Sequence, residues 1–121
     1  MIDVVLHKYD DQWKLIKYIV SVDTKYAKRV GNWGYTRPIK QLNGKEIEFG
    51  TGWRVIHWPS GLKIRELNTI KEAKALATYM DAHCTLTSDD PEFMMRRENA
   101  FDIVLPILRQ WKELNDIPQS I

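Results

Sequence analysis

Short apolar runs bounded by turn residues fill the first half of the chain, and a helical period takes over in the second. Ile2-Asp3-Val4-Val5-Leu6-His7-Lys8 is rich in β-branched residues and runs into Tyr9-Asp10-Asp11-Gln12, a turn composition, before Trp13-Lys14-Leu15-Ile16-Lys17-Tyr18-Ile19-Val20. The two runs read as paired strands. The second also fits a short helix capped by Asp11, with Trp13, Ile16, Lys17 and Val20 at helical spacing. From Val22 to Pro38 no period holds, and Gly31 and Gly34 bracket Asn32-Trp33. That stretch reads as a long loop with room for one helical turn at residues 25–30.

Ile39–Leu42, Asn43-Gly44 and Lys45–Phe49 form the clearest hairpin signal, because Asn-Gly tolerates the positive φ angles of a tight turn. Trp53–Trp58 and Leu62–Glu66, separated by Pro59-Ser60-Gly61, read as a further pair. Thr69-Ile70-Lys71-Glu72 is a capping box opening a helix whose stripe is Ile70, Ala73, Ala77 and Met80. Asp90-Pro91 pairs a cap with a first-turn proline and leads into Met94, Phe101, Val104, Leu105, Leu108 and Trp111. Pro106 removes one hydrogen bond and predicts a kink or split near Asp102, and the tail after Asn115 reads as short and frayed. The pattern predicts an α+β fold: a twisted antiparallel sheet of four to six strands packed on two C-terminal helices.

Composition keeps this picture to one domain over residues 1–121, since 121 residues with 44% hydrophobic and 28% charged content sit in the globular range. The longest apolar run, residues 103–108, is far shorter than a membrane-spanning helix, and Met1-Ile2-Asp3 lacks the start of a signal peptide. Cys84 has no partner for an internal disulfide. The expectation is a cytoplasmic protein without membrane attachment.

Charge adds an asymmetry that the net +2 hides. Residues 1–75 carry 14 Lys and Arg against 8 Asp and Glu, whereas residues 76–121 carry 4 against 8. Between Thr24 and Lys45, six cations (Lys25, Lys28, Arg29, Arg37, Lys40 and Lys45) occur without an intervening acid. Tyr26, Trp33 and Tyr35 lie among them, a mixture suited to phosphate neutralisation and base stacking. The same mixture suits an acidic protein patch, because aromatics and arginine dominate protein interfaces as well.

Strand alternation extends the basic surface to the Trp53–Glu66 hairpin. Trp53, Val55, His57, Leu62 and Ile64 are expected on a buried face, and Arg54, Ile56, Trp58, Lys63 and Arg65 on an open one. With Pro59-Ser60 as the loop, Arg54 falls opposite Arg65 and Ile56 opposite Lys63, a like-charge juxtaposition that an anion would relieve. Catalytic patterns are weak. His7, His57 and His83 are scattered, His57-Trp58-Pro59-Ser60 has the wrong spacing for a nucleophile and base, and His83-Cys84 lacks two further ligands for a metal. Asp89, Asp90 and Glu92 are explained by capping, and the glycine pairs lack a phosphate-loop lysine. No enzyme activity, cofactor or metal is expected.

Gly52-Trp53-Arg54-Val55, Ser60-Gly61-Leu62-Lys63 and Thr69–Ala77 together resemble the sheet-plus-helix pattern of arm-type DNA-binding domains in phage tyrosine recombinases. In that family the exposed sheet enters a DNA groove, so the resemblance implies sheet contacts by Arg54, Lys63 and Arg65 and a phage or mobile-element origin. It covers residues 52–77; the basic loop and the long C-terminal helix lie outside the pattern.

The leading expectation is a non-catalytic nucleic-acid-binding protein. Lys25, Lys28, Arg29, Arg37, Arg54, Lys63 and Arg65 would neutralise phosphates, and Trp33, Tyr35 and Trp58 would stack. The alternative is a small phage-type inhibitor or adaptor that binds a host protein complex, such as a CRISPR effector, with Asp89, Asp90, Glu92 and Glu98 imitating phosphates.

Overall fold

β1 (Ile2–Tyr9) and β2 (Leu15–Val22) form an antiparallel hairpin, with Ile2 opposite Val22 and Tyr9 opposite Leu15. The Asp10 carboxylate accepts the amides of Gln12 and Lys14, and Trp13 N–H donates to Asp10 O at 3.0 Å. One aspartate thus serves the turn twice over, and the segment is the strand rather than the helix that Asp11 allowed. The structure, a computed structural model, describes residues 1–42 and 46–115.

The stretch expected as a loop is instead two strands, β3 (Ala27–Val30) and β4 (Trp33–Thr36). Gly31, at φ 61°, opens the tight connection between them, and Asn32 N–H donates to Asp81 Oδ1 at 2.9 Å. No apolar alternation marks β4, because all four of its residues are buried. β5 (Ile39–Leu42) pairs with β6 (Glu46–Phe49) as expected; the Asn43-Gly44 turn between them and the tail after Asn115 lie outside the described residues. β7 (Trp53–His57) and β8 (Leu62–Leu67) complete a four-stranded antiparallel sheet of order β3-β4-β7-β8. The architecture is α+β as expected. Among the described residues eight strands fall into three antiparallel sheets, the largest of them the four-stranded one.

α1 (Ile70–His83) starts at Thr69, whose hydroxyl accepts from Glu72 N–H and donates to the Glu72 carboxylate at 2.8 Å. It buries Ala73, Leu76, Ala77 and Met80, while Ile70, in the first turn, stays outside. α2 (Pro91–Met95) is capped by Asp90, which accepts from Glu92 N–H at 3.0 Å. The chain then breaks at Arg96, where ψ is 145°, resumes as α3 (Arg97–Asn99), widens into a π-helical turn at Ala100–Val104 and continues as α4 (Leu105–Leu114).

Pro106 accounts for the widening. It has no N–H to offer the Asp102 carbonyl, and Leu105 N–H reaches back five residues to Ala100 O. The interruptions break the continuous stripe: Met94, Val104, Leu108 and Trp111 are buried, but Phe101 is turned out to 61% exposure.

The four-stranded sheet is a middle layer. On its helix side Trp33, Tyr35, Trp53 and Val55 pack with Leu76, Met80, Leu108 and Trp111. On its other side Ile56, Trp58 and Ala27 pack with Val4, Leu6, Val20 and Val22 of the β1–β2 hairpin. The open basic sheet face expected from strand alternation is therefore covered along β7. No helix among the described residues is long and apolar enough to cross a membrane.

Candidate functional site

The three rings expected to stack on bases are all core residues: Trp33 is fully buried, Trp58 is 3% exposed and Tyr35 4%. Trp33 meets the His57 ring edge-on at 5.0 Å, and Tyr35 meets Trp53 at 5.7 Å and 82°. Burial raises the Tyr35 phenol above its ordinary pKa. Trp58 lies over Gly34, and its indole N–H donates to Asp3 O at 3.1 Å. Gly34 has no side chain, and that gap in β4 is what admits the Trp58 ring between sheet and hairpin.

The cations are redistributed by a bulge. The β7–β8 register shifts between Val55 and Ile56, so Ile56 faces Lys63 as expected, but Arg54 faces Glu66 and Val55 faces Arg65. The expected Arg54–Arg65 opposition is thus replaced by an ion pair, Arg54 Nη2 to Glu66 Oε1 at 2.8 Å, with Lys63 Nζ 3.6 Å from the same oxygen. The hydrogen bond from Arg54, partly offset by burial, holds the Glu66 carboxyl below the usual glutamate range. Arg65 shares a side with Val55, toward the helices, and leaves the row of Arg54, Trp58 and Lys63 in which the sequence placed it.

Arg37 lies over the Trp53 ring at 4.2 Å and donates from Nη1 to Gly52 O at 3.1 Å. Lys25 sits 5.1 Å from the Tyr26 ring centre, and Arg29 Nε donates to Gly31 O at 2.7 Å. Lys25, Lys28 and Arg29 are exposed at and beside β3, an edge of the four-stranded sheet, and none lies within ion-pair distance of a carboxylate among the described residues. Of the ten residues singled out from sequence, these three keep a solvent-facing, unpaired charge near one another.

His57 ends the buried face of β7, as its position in the strand predicted. Its Nε2–H donates to Leu86 O at 2.8 Å, which leaves Nδ1 to accept from the Ser60 hydroxyl at 2.7 Å. Burial holds the imidazole below its ordinary pKa. The serine and histidine touch, but both are fully buried and the second ring nitrogen is closed by a carbonyl, so the pair braces the β7–β8 turn. Asp89 pairs with Lys17 at 3.2 Å and Asp90 caps α2. Cys84 is buried at the end of α1, and burial raises its thiol pKa. Among the described residues no three His, Cys, Asp or Glu side chains gather as a metal site.

What pattern reading missed is the tip of the first hairpin. Trp13 is 82% exposed at φ 59°, a left-handed conformation, and its ring lies 6.3 Å from that of Tyr9. Tyr9, Trp13, Leu15 and Met95 line an open depression of about 320 Å³ with Glu92 and Arg96 at its polar side. The signal was present in the sequence, since Trp13 directly follows Asp10-Asp11-Gln12, but a tryptophan beside a turn reads as the first residue of a strand. No family model matches the chain, and neither does any curated protein or solved structure.

Proposed function

We propose that this chain is a non-catalytic binding domain that recognises a protein partner through the hairpin tip around Trp13. The observation that carries the reading is the conformation of Trp13. In a turn of this geometry the residue at positive φ is ordinarily glycine, because a β-carbon there is strained by about 1 kcal/mol. Here the largest side chain occupies that position and covers almost nothing within its own fold. Backbone strain kept at an exposed aromatic is a feature that clusters at functional sites, and Tyr9 and Met95 beside it extend the apolar contact. This corresponds to the adaptor or inhibitor expectation, with the hairpin tip in place of the acidic groups Asp89, Asp90, Glu92 and Glu98.

Nucleic-acid binding is the second reading, supported by Lys25, Lys28 and Arg29 along the β3 edge. With the rings in the core it would rest on phosphate neutralisation alone and carry little sequence preference.

The two readings separate in one pair of measurements. Affinity capture from the native host is run with the wild-type protein and with Trp13→Gly, and an electrophoretic shift with mixed oligonucleotides at two salt concentrations is run with both and with Lys28→Glu/Arg29→Glu. A partner retained by the wild type and lost with Trp13→Gly supports the first reading. A salt-sensitive shift lost only in the charge-reversed variant, with captured proteins unchanged by Trp13→Gly, overturns it in favour of the second.

A further inference from the structure

An apolar groove of about 200 Å³ runs between β8 and the π-helical turn, lined by Ile64, Phe101, Val104 and Leu105 among others. The π turn helps to shape it, since the break in helical register turns Phe101 outward to its edge. π turns of this kind often accompany binding sites.

Among the described residues the groove's one lining cation, Lys63, is paired with Glu66, and three further cations lie beyond the lining residues at one end. Arg109 and Lys112 follow Leu105 and Leu108 by one turn on α4, and Arg65 follows Ile64 on β8, directed to the helix side by the bulge. Arg65 Nε is shielded from solvent and has no hydrogen-bond acceptor. Burial, followed by the charges of Arg65 and Arg109, pushes the Lys112 ammonium below its ordinary pKa. Among the described residues no carboxylate lies within ion-pair distance of any of the three. A shielded donor without an acceptor and three neighbouring like charges both oppose folding, and a bound anion would remove both penalties.

We propose that this groove binds a small amphiphilic carboxylate, with its acyl chain along Ile64, Phe101 and Leu105 and its head group between Arg65, Arg109 and Lys112. Arginine forks match the two oxygens of a carboxylate, and the apolar lining excludes a ligand that is charged throughout. The site is separate from the hairpin tip and stands without it.

The test uses decanoate below its micelle concentration, with decanol and acetate as the neutral and the tailless probe, and follows backbone amide shifts. Decanoate should shift residues 64–66 and 101–112 saturably, with decanol and acetate each at least about tenfold weaker. Arg109→Gln and Lys112→Gln change side chains at the groove's solvent side and should each weaken decanoate by about tenfold without affecting decanol. Trp13→Gly should bind decanoate as the wild type does. Equal affinity for decanoate and decanol, shifts confined to other residues, or wild-type affinity in both Gln variants would overturn the proposal.

Discussion

Arg54 stands opposite Glu66 across β7 and β8, its Nη2 donating to Glu66 Oε1 at 2.8 Å, where an unbulged ladder would have set two arginines side by side. The extra residue in β8 thus exchanges repulsion for attraction on the rim of the sheet. The Glu66 carboxyl titrates below its ordinary value, so the pair stabilises the fold at neutral pH. That contribution fades as pH falls from about 4.3, the value for an unfolded glutamate, through the lower folded value. Arg54→Met should move the Glu66 titration, read from its side-chain carboxyl shift, back toward the ordinary value. Glu66 is half exposed, and the loss at neutral pH should be only about 0.5 kcal/mol by denaturant unfolding.

His57 acts over a higher pH range. Its folded pKa lies below the unfolded one, so the neutral ring stabilises the fold fully above about pH 6.5 and loses that contribution as pH falls from there toward the folded value. Ser60→Ala leaves Nδ1 and the Leu62 amide without the hydroxyl that serves them, and should cost about 1–3 kcal/mol. Thermal unfolding at pH 7.5 and 5.5 should show the wild type more stable at the higher pH, and His57→Phe should reduce that difference.

A methyl group on Gly34 would fall inside contact distance of the Trp58 ring and 2.5 Å from Lys28 O. Both neighbours are held, one by the hairpin core and one by the β3–β4 ladder. Gly34→Ala should therefore cost about 3 kcal/mol, near the upper end for overpacking, with the loss of Trp58 near-UV ellipticity as a second readout.

Trp13→Gly relieves a left-handed residue and removes almost no buried surface. The variant should be as stable as the wild type or up to about 1 kcal/mol more stable, measured by denaturant unfolding. A stability gain together with the loss of partner capture is the signature of a residue retained for recognition. A destabilised variant would show that Trp13 supports the fold instead.

The helices were legible because their signals are local. The Thr69 hydroxyl, Asp90 and Pro106 act within a turn or two of themselves, and each does what its chemistry dictates. β4 was not legible, since a strand buried on both faces shows no alternation and its partners, Trp58 on one side and Leu76 and Met80 on the other, lie far along the chain; β3 sets two adjacent exposed cations between Ala27 and Val30 and shows no alternation either. The bulge at Val55/Ile56 had no composition mark, and it alone moved Arg65 from the rim to the helix side. The basic aromatic loop was a correct reading of composition with the wrong geometry. Trp33 and Tyr35 lie between Arg29 and Arg37 in sequence, and strand pairing turns both rings to the helix side, into the core.

The β1–β2 hairpin finds most of its apolar lid on Ile56 and Trp58, which are made well after it. Such sequence-distant pairing raises the contact order and slows folding relative to the helical half. During synthesis the hairpin emerges with Val4, Leu6, Val20 and Val22 uncovered until β7 arrives, an interval in which a chaperone or a second nascent chain competes for the same strands.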